Sequence, residues 1–436
     1  MSATVIARPQ HIISRANISE AALKVLYRLK GAGFQAHLVG GGVRDLLLGR
    51  EPKDFDVATD ATPEQVRQVF RNCRLIGRRF RLAHVHFGPE IVEVATFRGT
   101  GVGQEDDAPP DHQHDRRVEN GMIVRDNVYG TLEEDALRRD FTVNALYYNI
   151  ADFSVLDFAG GMEDLRQGRL RLIGDPEQRY REDPVRMLRA LRFVSKLGFN
   201  MDPACEAPLA ALGGLLHSVP AARLFEEVLK LFHSGNALNA FEKLRHYGLF
   251  THLFPQTEAS LAREEHQFPI TFVNRGLANT DQRVQEGRPV APAFLFAVLL
   301  WEPVRLRQAV LERNDQLPAA AVHQAASEVL AYQQDHVSVP KRFTLQMHEI
   351  WSLQHRFDAR RGKRPHRLLT HPRFRAAYDF LLLRAEAGEV ESTLTDWWTR
   401  FQTVGAEERG HMTREGTERP RRRRRGGRPE APLGAE

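Results

Sequence analysis

Apolar residues recur at helical spacing from Ser19 to Lys30, where Ala22, Leu23, Leu26 and Leu29 share one face and Gly31 and Gly33 stop the run. Ala36–Val39 follows as a short apolar strand, then three glycines, then a helical Val43–Leu48 closed by Gly49. Phe55–Ala58 and Ile91–Phe97 read as two more strands, with a helix around Pro63–Asn72 between them. Strands alternating with helices predict an α/β domain over the first 150 residues. Inside that region Gly99–Gly121 is acidic and rich in Gly, Pro and His, which predicts a mobile loop. From Gly161 the pattern turns helical. Ala190–Ser195, Arg223–Phe232, Ala237–Tyr247, Ala293–Leu300, Ala319–Gln333 and Phe374–Glu386 carry apolar residues three and four apart, and no strand pattern interrupts them. Trp397, Trp398 and Phe401 read as core aromatics of a last helix, and no fixed-period repeat is present. The expected fold class is α+β, a mixed-sheet head with flanking helices followed by an all-α body.

Composition narrows this picture. The 436 residues are 42% hydrophobic and 27% charged, near the globular average, and long enough for about three domains. Two cysteines, Cys73 and Cys205, exclude a disulfide framework and suggest a reducing, cytoplasmic setting. The longest apolar stretch, Ala291–Trp301, is about half a membrane span and contains Pro292, and Met1–Arg15 lacks the apolar run of a signal peptide. Charge is placed unevenly. The chain carries 61 Lys+Arg against 56 Asp+Glu, a net +5, and the stretch from His411 to the end holds eight arginines against four glutamates, so it supplies +4 of that total. Arg421, Arg422, Arg423, Arg424 and Arg425 run consecutively between Pro420 and Gly426 and cannot bury apolar surface. They predict a disordered cationic arm that binds nucleic-acid phosphates, the alternative being a solubilising tail.

The glycines carry the first chemical signal. In Val39-Gly40-Gly41-Gly42-Val43-Arg44-Asp45 they stand between a strand and a helix, where bare backbone N–H groups approach a ligand closely. The run is not a P-loop, since no Gly-Lys-Ser/Thr follows, nor a dinucleotide fingerprint, since Asp45 stands where its last glycine belongs. Shortly after comes Asp54-Phe55-Asp56. On a strand, residues i and i+2 project from one face about 6.5–7 Å apart, so both carboxylates converge on hard divalent cations while Phe55 turns into the core. Two Mg²⁺ ions about 4 Å apart, or Mn²⁺ in their place, would activate an attacking hydroxyl and neutralise a pyrophosphate leaving group. A third carboxylate has two candidates, Glu93 on the alternating Ile91–Phe97 strand and Asp140 in Arg138-Arg139-Asp140-Phe141. Arg44, Arg98, Arg138 and Arg139 suit triphosphate oxygens, because guanidinium forks match anionic oxygen pairs. His112 and His114 lie in the loop without a cysteine nearby, which is a weak metal signal.

A further motif is Tyr180-Arg181-Glu182-Asp183-Pro184-Val185-Arg186. Asp183 reads as a helix N-cap with Pro184 at the first helical position and Arg186 one turn on, on the same side. A carboxylate acceptor beside a guanidinium donor mirrors the edge of adenine or cytosine, whereas guanine and uracil reverse the pattern. The residues thus suggest selection of A or C without a template.

As an ordered set, Gly41-Gly42-x-Arg44-Asp45, Asp54-x-Asp56, Glu93-x-x-Thr96-Phe97-Arg98, Arg138-Arg139-Asp140-Phe141 and Glu182-Asp183-x-x-Arg186 resemble the motifs of class II nucleotidyltransferases of the polymerase β superfamily. That group holds the CCA-adding tRNA enzymes and the bacterial poly(A) polymerases. The resemblance covers about residues 35–235. It implies a polymerase β-like catalytic head, then helical neck, body and leg, with Asp54, Asp56 and Asp140 in the catalytic site. Metals would sit on Asp54 and Asp56, with Asp140 or Glu93 supporting them, and the nucleotide would meet Gly41, Gly42, Arg44, Asp45, Arg98, Arg138, Arg139, Asp183 and Arg186. The segments expected are an extension over 1–18, the head over 19–160 with its loop at 99–121, the neck over 161–235, body and leg over 236–405 and the tail over 406–436. Leu75-Ile76-Gly77-Arg78-Arg79-Phe80-Arg81-Leu82-Ala83-His84-Val85 resembles the bacterial poly(A) polymerases rather than CCA enzymes, as does the Arg-rich tail. The expected activity is AMP transfer from ATP to RNA 3′ ends, with RNA-decay machinery as a partner. CCA addition to tRNA is the alternative, and a non-enzymatic RNA-binding protein on the same scaffold a second one.

Overall fold

The computed structural model describes residues 3–77, 81–99, 116–119, 122–126, 128–265 and 271–414. The expected mobile loop with His112 and His114, and the Arg421–Arg425 run, lie almost wholly or wholly outside these residues. The chain forms two compact units, Met1–Glu258 with Thr280–Pro289 and Gln333–Ser338, and Ala259–Asn279 with Val290–Tyr332 and Val339–Glu436. Expected head and neck therefore fall in one unit.

Among the described residues of the first unit, the chain up to residue 160 forms ten strands, β1 Thr4–Ile6, β2 Ala36–Val39, β3 Asp56–Thr59, β4 Cys73–Ile76, β5 Leu82–Phe87, β6 Glu90–Thr96, β7 Arg116–Glu119, β8 Met122–Asp126, β9 Leu146–Asn149 and β10 Val155–Asp157. Eight form one sheet in the order β1-β10-β9-β2-β3-β6-β5-β4, and β7 pairs β8 separately. Only β3 and β6 run parallel in the large sheet; its other pairs are antiparallel. The α/β alternation expected from sequence thus yields a single parallel pair, because β4, β5 and β6 form a meander whose hairpin turns at Gly88 (φ +62°). Part of the expected extension also joins the sheet, as edge strand β1 pairs with β10.

One face of the sheet is covered by α1 (Glu20–Gly31), which Ser19 caps by accepting the Ala22 N–H and which buries Ala22, Val25, Leu26 and Leu29 completely. Helix α3 (Pro63–Val69) starts in a Thr62/Gln65 capping box with Pro63 at its first position. The other face carries a smaller core of Val39, Ala58, Phe97, Tyr147 and Ala136, the last from α4 (Leu132–Arg138). Between β2 and β3 lies α2 (Gly41–Leu47). Its entry needs Gly40, whose φ of +74° and ψ of −137° are closed to side-chain-bearing residues, so the helix starts two residues before the expected Val43.

Beyond β10 the chain enters α5 (Gly161–Arg166), where buried Asp157 accepts four backbone N–H bonds, from Ala159, Gly160, Gly161 and Met162, at 2.9–3.1 Å. Helices α6 (Pro176–Glu182) and α7 (Val185–Leu197) follow, then the single turns α8 (Pro203–Glu206) and α9 (Leu209–Leu212), then α10 (Ala221–Phe232). A two-residue parallel ladder, Arg169–Leu170 with Asn200–Met201, interrupts the region expected to be free of strands. It is too short to leave a period in the sequence.

In the second unit helices pack around Phe357, Leu368, Phe374, Tyr378, Trp398 and Phe401. Trp398 is fully buried and donates its Nε1–H to the Phe357 carbonyl at 2.9 Å, while Trp397 is half-buried and stacks on Phe401. Among the described residues no helix is long and apolar enough to cross a membrane.

The tightest backbone approach in the first unit is at Gly161, where a Cβ would fall 2.2 Å from the Thr142 carbonyl oxygen. Gly161→Ala is expected to destabilise the protein by about 3 kcal/mol through forced displacement of α5. Urea unfolding measures this, and an unchanged midpoint would contradict the packing described.

Candidate active site

The parallel register of β3 and β6 sets Asp56 directly beside Glu93, on strands about 4.8 Å apart. Asp54 was expected on the same strand as Asp56. Instead β3 begins at Asp56, and Asp54 lies on the exposed segment just before it. The reason is local packing: a Cβ on Gly42 would lie 3.3 Å from the Asp54 carbonyl oxygen, so this backbone is drawn against α2 rather than into the ladder. Phe55 turns into the core as expected, 9% exposed.

Crowding of acids is visible in Asp56. Burial, then the charges of Glu93 and Asp54, push its carboxyl up to about 6, against the pull of Arg139 and His84. His84 Nε2 lies 3.4 Å from Glu93 Oε2. Among the described residues no three His, Cys, Asp or Glu side chains already converge as a metal cage. Mg²⁺ does not require one, because it commonly takes one or two carboxylates and fills its shell with water and substrate phosphate. A crowded oxygen-donor set whose ionised form lacks full counter-charge therefore fits such an ion.

The cation whose charge acts most on Asp56 is Arg139. A Cβ on Gly40 would lie 3.6 Å from Arg139 Nη1 and 3.8 Å from Asp56 Oδ2, which puts the glycine turn, the guanidinium and the carboxylate at one corner. Arg139 donates from Nε to the Tyr147 hydroxyl at 2.8 Å and from Nη2 to Asp135 at 3.2 Å, and Tyr147 in turn donates to Asp135 at 2.6 Å. Burial alone would lower its pKa, but Tyr147 and Asp135 outweigh that and raise it, so Arg139 stays charged.

Other arginines are placed differently. Arg44 is 2% exposed; its Nε and Nη2 donate to Asp45 Oδ1 at 2.8 and 2.7 Å, its Nη1 to Asn144 Oδ1 at 2.7 Å, and Phe193 stacks beneath it. The Arg44–Asp45 pair therefore ties α2 to the Thr142–Asn144 turn. Arg138 donates to the Gly99 carbonyl. Burial lowers the Arg98 pKa, and the Arg98 backbone N–H donates to Asp135 at 3.2 Å.

Asp140 does not face the other acids' cation-deficient corner. Its Oδ1 accepts from Phe141 N–H and Asn144 Nδ2, and its Oδ2 accepts from Arg189 Nε and Nη2 at 2.8 and 2.5 Å. Burial would raise its pKa, but Arg189 and these bonds bring it down to about 2. Of the two candidates for a third acid, Glu93 is the one beside Asp56.

Asp183 ends α6 rather than capping α7 with its side chain, because Pro184 takes the N-cap place and the carboxylate turns to Arg223 of α10 at 2.7 Å. Arg186 uses Nη1 for both of its bonds, to the Arg179 carbonyl at 2.7 Å and to Glu182 at 3.1 Å. Arg179 itself clamps the carbonyls of Arg138 and Arg139 from Nη2 at 2.7 Å each. Arg179, Arg189, Arg223, Asp135 and Tyr147 were not singled out from sequence. Only Asp135 had a local signal, four residues before Arg139 on one helical face.

Crowded acids, a glycine turn and a charged arginine meet at one corner of the eight-stranded mixed sheet, and comparison with known proteins places the chain among nucleotidyltransferases. Three family models match the chain: "Poly A polymerase head domain" over residues 36–171, "Probable RNA and SrmB-binding site of polymerase A" over 198–261, and "Polymerase A arginine-rich C-terminus" over 314–430. Poly(A) polymerase I of Salmonella typhi is 50% identical over 98% of this chain and 91% of its own length. That of Haemophilus influenzae is 45% identical over 94% and 90%. The chain belongs to the poly(A) polymerase I family. CCA-adding enzymes are more distant: that of Geobacillus stearothermophilus is 35% identical over 63% of this chain and 66% of its own. The crystal structure of the Bacillus stearothermophilus CCA-adding enzyme in complex with CTP superposes with a TM-score of 0.60 at 25% identity, covering 89% of this chain and 82% of that one.

Asp140 gives a pH signature. Its folded pKa of about 2 lies below the ordinary 3.8, so its contribution is present above about pH 4 and fades as pH falls toward 2. The difference corresponds to about 2 kcal/mol. Asp140→Asn is expected to lower stability at neutral pH by at least that amount, with the gap to the unmodified protein narrowing below pH 4 in urea titrations. A gap independent of pH would contradict the Asp140–Arg189 assignment.

Proposed function

We propose that the protein adds AMP from ATP to RNA 3′ ends without a template and releases pyrophosphate. The observation that carries this reading is the β3–β6 register, which holds Asp56 against Glu93 with Asp54 adjoining and Arg139 at the same corner. Asp54, Asp56 and Glu93 would hold two Mg²⁺ or Mn²⁺ ions, which when bound supply the charge that eases ionisation of the RNA hydroxyl and offsets the triphosphate. Around them, Gly40, Gly41 and Gly42 let phosphate oxygens approach the backbone. Arg139, kept charged by Asp135 and Tyr147, opposes negative charge at the reacting phosphate, and Arg98 and Arg138 serve the triphosphate. Arg44, Asp45 and Asp140 brace these groups from behind. The 3′ oxygen bonds to the α-phosphorus as the bond to pyrophosphate breaks, and the hydroxyl proton leaves to solvent.

Nucleobase choice rests in this reading on Asp183 and Arg186. Asp183 accepts from the exocyclic amino group of adenine and Arg186 donates to the adjacent ring nitrogen, with Arg223 and Glu182 fixing the two side chains. Cytosine offers the same edge. Preference for ATP is supported by the relatives named Poly(A) polymerase I, which match across nearly the whole chain, whereas the CCA-adding relatives match a smaller part. The Arg421–Arg425 run adds phosphate affinity, and the chemistry suits a cytoplasmic enzyme that hands tailed RNA to decay machinery.

With labelled ATP, Mg²⁺ and an oligo(A) primer, a long ladder is expected, and CTP should give none. Asp54→Ala and Asp56→Ala should each abolish the ladder while RNA binding persists; retained activity in either variant would overturn the assignment. Arg186→Ala should lower kcat/KM for ATP by about 10- to 100-fold, the range for loss of a charged hydrogen bond, and an unaltered kcat/KM for ATP would refute its role.

A further inference from the structure

We propose that Arg360, Arg361, Lys363, Arg364 and Arg367 form a folded phosphate-binding surface for the RNA on the second compact unit, separate from the Arg421–Arg425 run. The inference rests on RNA being the substrate. Residues 356–375 contain eight Lys and Arg against a single acid, Asp358. Arg373 and Arg375 are paired, with Glu349 at 3.0 Å and Asp379 at 3.0 Å. The other five named cations are exposed, and among the described residues none of them forms a salt bridge. Soluble surfaces usually intersperse both signs, since like charges at this density repel one another. A cluster of five exposed cations with a single acid nearby is therefore suited to an external polyanion.

The backbone beneath these side chains is pinned. Phe357 is fully buried and its carbonyl accepts from Trp398 Nε1 at 2.9 Å; Pro365 and Leu368 are buried on the inner side of the Arg364–Leu369 helix. Gly362 turns the loop at φ +66° and donates its N–H to the Thr413 carbonyl at 3.3 Å. The charges thus project from a fixed platform rather than from a floppy segment, which lowers the ordering cost of binding. No exposed aromatic or large aliphatic side chain lies between residues 356 and 369, so the face offers neither stacking for bases nor an anchor for a lipid bilayer. That leaves sequence-independent contact with phosphates. RNA is favoured over an acidic protein because it is the polyanion that the proposed reaction already brings to this chain.

The test uses the full chain with Arg360→Gln, Arg361→Gln and Arg364→Gln combined, and a second variant with Lys363→Gln and Arg367→Gln. Binding of an RNA of about 30 nucleotides is measured against salt. Each lost phosphate contact should flatten the slope of log K against log salt by about 0.7, so the triple variant loses about 2 and binds on the order of 50-fold more weakly near 0.15 M salt. Melting temperature and AMP addition to saturating short oligo(A) should stay unchanged, which separates this surface from the catalytic reading. If short-oligo addition fails in the unmodified protein, the catalytic reading falls instead. An unchanged salt slope in both variants overturns the proposal, as does stronger competition by polyglutamate or by anionic phosphatidylglycerol vesicles than by RNA at equal charge.

Discussion

Carboxylates repel one another, and the first unit is organised to hold three of them together. The parallel pairing of β3 and β6 brings Asp56 and Glu93 side by side, and the packing of Gly42 over the Asp54 backbone keeps the third acid close. Burial first, and then the charges of Glu93 and Asp54, raise the Asp56 pKa. Arg139 and His84 offset part of the rise, which leaves a deficit of positive charge at one corner of the sheet. A corner of this kind suits a cation that takes one or two carboxylates and fills the rest of its shell with water and phosphate.

Everything that fixes Arg139 is consequently part of the site. Tyr147 comes from β9 and Asp135 from α4, so the guanidinium is held from two elements on one face of the sheet. The backbone of Arg138 and Arg139 is clamped by Arg179 of α6, and the next residue, Asp140, is locked to Arg189 of α7. Arg179 and Arg186 share Glu182 as their acceptor. Arg186, proposed to read the base, and Arg139, the cation beside the acids, are therefore joined in one hydrogen-bonded network through Glu182 and Arg179.

Much of this was legible in the sequence because it is carried by local patterns. Glycines before a helix, Asp-x-Asp at a strand start and the alternating Ile91–Phe97 strand announce their elements, whereas β4, β5, β9 and β10 were not singled out, although Ala83 and Val85 give β5 a two-residue period. What was missed is non-local. The antiparallel meander follows from pairing partners that no single strand specifies, and edge strand β1 is too short to show a period. Asp140 and Arg44 look like site residues from their neighbours in sequence, yet their partners, Arg189 and Asn144, are 49 and 100 residues away. Asp183 looks like a helix cap until Arg223, 40 residues on, takes its carboxylate.

The crowding of Asp54, Asp56 and Glu93 is most directly tested by carbon-13 NMR titration of the Asp56 carboxyl with and without Mg²⁺. The account predicts a midpoint near 6 in the metal-free protein, falling well below that when Mg²⁺ is added. An ordinary aspartate midpoint without metal, or one that Mg²⁺ leaves unmoved, would contradict it.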